Sequence, residues 1–144
     1  MAITSAICNS FKVEILTATH NFTASSGNTF NLALYTSSAT LNKSTTAYTT
    51  SAEVASSGGY TAKGKALTSV TPVLSTDTAV CDFANISWTS ASFTSRGCLI
   101  FNDSAASDQS VCAIDFGGDK TVTSGTFTIE FPAPSAGTAI IGIA

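Results

Sequence analysis

Charged side chains are scarce in this 144-residue chain, where Asp, Glu, Lys and Arg together make up 10% of the residues. An average soluble protein has about 25%. The six Lys and Arg residues are scattered along the chain, and the formal net charge is -3. Because contacts with phosphates require clustered basic residues, this composition argues against a nucleic-acid partner.

The chain also lacks a long apolar run. No stretch reaches the about 18 consecutive apolar residues that span a bilayer. The N-terminal residues have neither the basic leader nor the uninterrupted apolar stretch of a secretory signal peptide. We therefore expect no membrane partner, and synthesis in a cytosol without export by the Sec route.

Histidine is nearly absent, since His20 is the only one, and the sequence contains no G-x-S-x-G motif. A hydrolytic triad therefore has no support. Glycoside hydrolysis has none either, because no two carboxylates are fixed relative to each other by local spacing. We interpret His20 as a residue at a helix end.

Metal and nucleotide sites find equally little support. None of four turn-flanking aspartates lies in a D-x-[DN]-x-[DN]-G calcium loop. They are Asp103, Asp108, Asp115 and Asp119. Residues 59–66 imitate a phosphate-binding loop, yet Ala66 stands where a Ser or Thr hydroxyl would reach Mg²⁺. We predict a loop leading into a strand there, and a non-enzymatic protein with no catalytic residue, cofactor or metal.

The cysteines form no C-x-x-C pair, which argues against a zinc site and favours buried thiols. They are Cys8, Cys81, Cys98 and Cys112. If Asn102 pairs with Asp108, the same register places Cys98 opposite Cys112, at a separation that permits a disulfide. A reducing compartment opposes that bond, so we predict reduced thiols.

Strand patterns dominate what is present. Ser and Thr supply about three residues in ten, a β-rich and weakly charged composition typical of secreted, adhesive and virion-surface proteins. Between Phe93 and Pro132, three apolar runs are separated by turn residues, which predicts consecutive antiparallel strands. The run 98–101 is apolar throughout and predicts a central strand covered on both faces. Phe127, Ile129 and Phe131 alternate with polar residues and predict a strand with one buried face.

Other apolar runs predict further strands at residues 30–35, 78–83 and 86–88, with a closing strand at 140–143. Trp88 should be buried at the edge of the core. Arg96, the only arginine, should pair with Asp115 or Glu130. Residues 36–57 are rich in Ser, Thr and Ala and predict a long loop ordered by Tyr48 and Tyr60 folding back.

One helix is predicted, at about residues 4–20. Apolar residues recur there at steps of three or four. They are Ile3, Ile7, Phe11, Ile15, Ala18 and Phe22. Thr4 or Ser5 would cap the helix and Asn21 would end it. Two interpretations remain open: the helix covers the sheets, or it docks on a neighbouring subunit.

These patterns predict a single domain over residues 1–144. Its expected fold is mainly β, an antiparallel β-sandwich or jelly-roll-like architecture with one N-terminal α-helix. Exposed terminal apolar segments favour contacts with other subunits. The possible subunit contacts that we single out are Ile3, Ile7, Phe11, Tyr48, Tyr60, Ile141 and Ile143.

From Phe11 onward the chain carries a series of short motifs: TAYTT with Glu53-Val54, GYTAKGKAL, ISW, FTSRGCLIFN, AIDFGGDKTV, FTIEFP and AIIGIA. In combination they resemble a family of small virion structural proteins of tailed bacteriophages. At AKGK the chain departs from the glycine pair expected in that family.

The resemblance implies a non-enzymatic capsid cement or decoration protein. It would bind the outer surface of the major capsid protein lattice, associate with copies of itself and reside in the virion, assembled in the host cytoplasm. A place in the tail or the head-tail junction is the alternative. From the residues alone, a carbohydrate- or receptor-binding module is a hypothesis of another class, with the loop 36–60 and Tyr35, Tyr48 and Tyr60 as its contact surface.

Overall fold

In the computed structural model, which describes residues 2–144, the chain forms two antiparallel sheets and one short helix. The mainly β, β-sandwich-like fold class is therefore confirmed. In chain order the elements are β1 (Ala6–Ile7), α1 (Asn9–Leu16), β2 (Phe30–Tyr35), β3 (Lys65–Ala66), β4 (Ser69–Ser75), β5 (Thr78–Phe83), β6 (Ile86–Asn102), β7 (Ser110–Ile129) and β8 (Ile141–Ile143).

The large sheet has the strand order β1-β7-β6-β2-β3, and the small sheet has the order β4-β5-β8. Strand β6 pairs with β2 on one side and with β7 on the other. Residues 98–101 of β6 are all 0% exposed. The prediction of a central strand covered on both faces is therefore confirmed.

Two apolar clusters cover the two faces of the large sheet. Alternate residues of β2 enter different clusters, Leu32 and Leu34 on one face and Ala33 and Tyr35 on the other. The first cluster also contains Phe83 and Ile141, so it joins both sheets. Trp88 lies in this cluster at 2% exposure, as predicted. Burial stabilises the fold by about 1.5–3 kcal/mol for each large apolar side chain.

The ribbon formed by β6 and β7 is strongly curved. The ring centroids of Phe116 and Phe127 lie 6.2 Å apart, although a straight strand would separate residues eleven positions apart by about 36 Å. The pairing shifts register between Ser95 and Gly97 of β6, where β7 bulges outward. Arg96 holds this bend by pairing with Asp115 at 3.2 Å, as predicted, and with Asp119 at 3.8 Å.

The helix is shorter than predicted, because α1 spans Asn9–Leu16 and not residues 4–20. Its N-cap is Cys8, and not Thr4 or Ser5, and the cap side chain makes no capping hydrogen bond within residues 2–144. Residues 6 and 7 instead pair with Ala113 and Cys112 at the edge of β7. The edge of β7 offers main-chain hydrogen bonds that a helix there would leave unmade, so tertiary context overrides the apolar period.

The N-terminal chain departs from the helical prediction at both ends. Ile3 forms an isolated parallel bridge with Leu41. The Ser5 hydroxyl accepts a hydrogen bond from the Asp115 backbone N–H at 2.8 Å. After Leu16 the chain turns at Ala18, whose φ is 60°, so the helix ends before Asn21.

The cysteine register is also corrected. Cys98 faces Ile114 and Cys112 faces Ile100, so the two cysteines are not directly opposite. The backbone N–H of Asn102 bonds to Gln109, one residue beyond the predicted Asp108, and the pairing is irregular between Ile100 and Phe101. All four cysteines carry free thiols. Burial raises the pKa of Cys112 to about 12, which keeps this thiol protonated and unreactive at neutral pH.

Candidate contact surfaces

The two ends of the chain meet in one apolar surface groove with a volume of about 330 Å³. We call it the terminal groove. Its apolar lining comes from β1, α1 and β8 and consists of Ile7, Phe11, Ile15, Leu16, Ile141 and Ile143. Four of the predicted subunit contacts, Ile7, Phe11, Ile141 and Ile143, are therefore brought together, although they lie at opposite ends of the sequence.

Anchored and exposed side chains alternate in the terminal groove. Phe11 and Ile141 are each 3% exposed and fix α1 and β8 to the core. Leu16 is 87% exposed and Ile143 is 56% exposed. A single exposed leucine is ordinary, but exposed apolar residues that adjoin a common groove are typical of a contact surface. Leu16 was missed in the sequence because it lies outside the apolar stripe that was taken as the buried face.

Strand β8 contributes its backbone as well as its side chains. It forms one edge of the small sheet, where Ile141 and Ile143 pair with Cys81 and Ala79 of β5. The opposite edge of β8 has no strand partner within residues 2–144. An edge strand of this kind can accept an additional strand from another chain.

Three predicted contacts, Ile3, Tyr48 and Tyr60, lie outside the terminal groove. Ile3 is 6% exposed and packs with Leu41, and Tyr60 is 2% exposed, so neither side chain is available to a partner. Tyr48 is half-buried. Phe11 and Ile141, although they line the groove, are likewise mostly enclosed by the chain's own core. The surface available for contact is therefore narrower than the predicted set.

Tyr60 and Tyr48 do fold back and order the long loop, as predicted, and both do so through Glu53. The Tyr48 hydroxyl donates to Glu53 Oε2 at 2.6 Å, and the Tyr60 hydroxyl donates to Oε1 at 2.7 Å. The backbone N–H of Lys63 donates to the same Oε1 at 2.7 Å. The Tyr60 oxygen also accepts the backbone N–H of Leu34 at 2.9 Å, which ties the loop to β2. The role of Glu53 was missed, because no local motif marks it.

Burial is the main reason why the tyrosine side chains keep their protons, and hydrogen bonds to Glu53 add to it at Tyr48 and Tyr60. Burial, followed by the hydrogen bond to Glu53, raises the pKa of Tyr48 to about 12. Burial also raises the pKa of Tyr60 and of Tyr35 above the ordinary value of 10.0. Tyr35 is 0% exposed, so two of the three tyrosines that were expected to be exposed are buried.

Lys63 joins the loop to the turn between β6 and β7. Its ammonium lies 2.8 Å from Asp108 and 3.1 Å from Asp103, and 5.6 Å from the centre of the Tyr48 ring. The hydrogen bonds to Asp108 and Asp103 raise the pKa of Lys63.

The next residue, Gly64, has a φ of +66°, and a Cβ there would collide with the Leu32 carbonyl oxygen. The segment 59–66 is thus pressed against β2. Its last two residues form β3 and β4 follows at Ser69, so the predicted loop leading into a strand is confirmed.

A second apolar groove lies in the concavity of β7 and has a volume of about 480 Å³. We call it the ribbon groove. Its lining includes Ile114, Phe116, Phe127, Ile129, Phe131 and Ile140, with Lys120 and Glu130 also among its residues. The predicted alternation of Phe127, Ile129 and Phe131 is confirmed, but these side chains are half-buried. The apolar runs at residues 110–120 and 125–132 were predicted as separate strands, but both fall in one strand, β7, which ends at Ile129 and bends between Phe116 and Phe127. The Gly and Asp residues that were interpreted as a turn lie at this bend, where Gly117 has a φ of +79°.

Neither groove carries a recognisable reactive centre. Among residues 2–144, no three His, Cys, Asp or Glu side chains are grouped so as to hold a metal ion. In the same part of the chain, no helix is both long and apolar enough to cross a bilayer.

Comparison of the chain with protein-family models, curated proteins and solved structures found no match. The contact surfaces must therefore be interpreted from their own chemistry.

Proposed function

We propose that this protein is a non-enzymatic virion structural protein that binds the outer surface of the major capsid protein lattice of a tailed bacteriophage and stabilises it. The observation that carries the proposal is the terminal groove. In it, Leu16 of α1 and Ile143 of β8 are both exposed, although the chain has only 10% charged residues. Such a surface fits a contact with protein better than it fits solvent.

The motifs that suggest a phage particle belong to the framework of the large sheet. The run Arg96–Asn102 forms the C-terminal part of β6, and the DFGGDK motif lies at the bend of β7. These motifs support a shared architecture with the virion family. Binding to the shell is assigned to a different part of the molecule, the terminal groove.

The proposed contact combines apolar burial with strand pairing. Covering an exposed Leu or Ile side chain contributes about 1.5–3 kcal/mol. The open edge of β8 adds main-chain hydrogen bonds if a strand of the shell aligns with it. A repeating capsid lattice then multiplies modest contacts if neighbouring copies are also linked to each other.

The proposal is tested by binding to purified capsids that lack this protein. Wild-type chain should sediment with the capsids, and Leu16→Asp and Ile143→Asp should not, because each places a charge in the contact. Leu74→Asp is the matched control, since Leu74 is 70% exposed on β4 and does not line the terminal groove. Equal binding by all four proteins would contradict the proposal, as would a loss of binding in the Leu74 variant alone.

A place in the tail or the head-tail junction remains the alternative within the same class. The same groove would then contact a ring of a few subunits. Labelling of the chain on intact particles separates the two hypotheses, because capsid cement covers the whole shell and a junction protein marks a single vertex.

A carbohydrate-binding module is less favoured. Glycan sites present exposed aromatic rings, yet Tyr35 and Tyr60 are buried. Tyr48 is half-buried, and its hydroxyl is committed to Glu53. A glycan array with a Tyr48→Ala control tests this hypothesis, and a clear signal that the variant loses would favour it over the capsid assignment.

A further inference from the structure

The only histidine of the chain, His20, belongs to the N-terminal segment and lies four residues after the end of α1. We call residues 2–22 the N-terminal arm. The His20 side chain is 0% exposed. Its ring packs 4.9 Å from the Phe11 ring and is stacked 6.2 Å from the Phe30 ring of β2. His20 therefore joins the arm to the large sheet through a buried imidazole.

Hydrogen bonds determine which nitrogen of His20 carries the proton. The side-chain nitrogen of Asn102 lies 3.1 Å from His20 Nδ1. The same amide nitrogen also faces the Thr19 carbonyl oxygen at 3.3 Å and Asn28 Oδ1 at 3.1 Å. An amide nitrogen can only donate, so Nδ1 accepts and the neutral ring carries its proton on Nε2.

Asn102 cannot adjust easily to a change in His20. Its own oxygen accepts the backbone N–H of Ser104 at 3.0 Å. Turning the amide over would therefore set its oxygen against Thr19 and Asn28 acceptors and its nitrogen against the Ser104 donor. A proton on His20 Nδ1 would face a donor group that is fixed in place, and buried donors without acceptors are costly.

The other ring nitrogen, Nε2, only partly compensates for the cost of a proton on Nδ1. His20 Nε2 lies 3.5 Å from Glu14 Oε2, which is long for a hydrogen bond. Within the described residues, neither Glu14 oxygen nor the nearby Ser10 hydroxyl on α1 makes a hydrogen bond. The titratable groups around this cluster are the Glu14 carboxylate on α1, the Cys8 thiol beside it and Cys81 of β5, which shares a surface groove with His20. From β2 and β6 the ring meets the uncharged Phe30 and Asn102.

We propose that His20 is a proton-operated latch: the neutral imidazole holds the N-terminal arm on the sheets, and protonation releases it. The other secondary-structure attachments of the arm are short: a two-residue strand on β7, the single bridge from Ile3 to Leu41 and an eight-residue helix. Its remaining anchors are the buried side chains of Ile3, Cys8, Phe11 and Phe22, which opening of the arm would expose.

The direction of the pH dependence follows from burial. Burial lowers the pKa of His20 below its ordinary value of 6.5, and this outweighs the opposing effect of the Glu14 carboxylate. The opened arm binds a proton more readily than the docked arm. Docking is therefore fully favourable above about pH 6.5 and weakens as the pH falls through the lower pKa of the docked state.

Opening the arm changes the molecular surface. The terminal groove loses its α1 wall, which carries Phe11, Ile15 and Leu16, and the edge of β7 at Cys112 and Ala113 loses its partner strand. At acidic pH the terminal groove would therefore lose its shape, because α1 leaves it when the arm opens. This inference does not rest on the proposed capsid role, because it concerns the free chain alone.

The test combines two measurements on the full chain between about pH 7.5 and about pH 4.5. Because His20 is the only histidine, its imidazole resonance reports one titration without overlap. Hydrogen-exchange protection factors, corrected for the intrinsic effect of pH, report opening of the arm. We expect an imidazole midpoint below 6.5, and arm protection that falls by up to about tenfold for each pH unit between about pH 6.5 and that midpoint and levels off below it. Protection of residues 99–101 of β6 should stay constant.

Three variants separate the effect of His20 protonation from other effects of pH. In His20→Asn the side-chain oxygen can replace Nδ1 as acceptor for Asn102 but does not titrate, so arm protection should become independent of pH. Glu14→Gln removes the charge that favours protonation and should move the midpoint to lower pH. Glu130→Gln, on an exposed carboxylate of the ribbon groove, is the matched control and should leave it unchanged.

The latch is refuted if the imidazole titrates while arm protection stays constant, or if protection falls equally in wild type and His20→Asn. It is also refuted if all regions lose protection together, because that result indicates global unfolding. Should His20→Asn fail to fold, the wild-type chain decides the question. Arm protection that stops falling at the imidazole midpoint supports the latch, and protection that keeps falling below that midpoint refutes it.

Discussion

The centre of the large sheet and the terminal groove place similar side chains in opposite environments. Leu99, Ile100 and Phe101 of β6 are 0% exposed, whereas Leu16 and Ile143 are 87% and 56% exposed. The first region has neighbouring strands on both sides and apolar clusters on both faces. The second is formed by a short helix and an edge strand with one covered face. Apolar residues stabilise the fold in the first region, and we propose that they serve contacts in the second.

The largest expected effect comes from truncating the buried region. Phe101→Ala should lower the free energy of unfolding by about 3–5 kcal/mol, because a cavity remains beside Tyr48, whose ring centre lies 4.8 Å away. Leu16→Ala should change it by less than about 0.5 kcal/mol. Urea unfolding measures both values. If the two variants lost similar stability, the distinction between the regions would fail.

The Glu53 network should give the next largest effect. Glu53→Ala removes three hydrogen bonds and leaves the Tyr60 hydroxyl and the Lys63 N–H without their acceptor, so we expect a loss of about 3 kcal/mol. Glu130→Ala is the matched control, since that carboxylate is exposed. Urea unfolding checks the pair, and a loss below about 1 kcal/mol for Glu53→Ala would show that the loop does not depend on this carboxylate.

Alkaline pH tests the same network without mutation. The pKa of Tyr48 is raised to about 12 by burial and by Glu53, from an ordinary value of 10.0. The unfolded chain therefore loses tyrosine protons at a pH where the folded chain keeps them, and stability falls as the pH rises above 10. Tyrosinate absorbance should appear together with unfolding, as seen by circular dichroism. Tyrosinate formation in a chain that stays folded through about pH 11 would contradict this assignment.

Among the polar contacts, the smallest expected effect belongs to the two surface ion pairs of Lys63. Lys63 is 44% exposed at its side chain, so its contacts with Asp103 and Asp108 are screened by solvent. Lys63→Ala should cost less than about 1 kcal/mol in urea unfolding. A loss as large as that of Glu53→Ala would mean that the ammonium, and not the carboxylate, organises the loop.

Much of the fold could be predicted because it depends on local patterns. The continuous apolar run at residues 98–101 predicted a central strand, and the alternation at Phe127 and Ile129 predicted a half-covered one. Arg96 forms the predicted ion pair with Asp115 on the neighbouring strand. Each of these features can be recognised within a few residues of sequence.

The errors arose where distant segments decide the outcome. Ile3 and Ile7 fit a helical period, but Ile7 pairs with the edge of β7 and Ile3 forms a bridge with Leu41, so neither belongs to the helix. The cysteine register depended on the length of one turn, which composition does not specify. The terminal groove was predicted in part, because the apolar ends were noticed, but exposed Leu16 lay outside the helical stripe that was assumed to be buried.

Imaging of intact phage particles tests the central claim most directly. We expect this chain at symmetry-related positions over the whole outer shell, with α1 and β8 facing the major capsid protein. A chain found only at the tail or at one vertex would contradict the capsid assignment. A chain bound to the shell through the ribbon groove, with Leu16 and Ile143 facing solvent, would contradict the role given to the terminal groove.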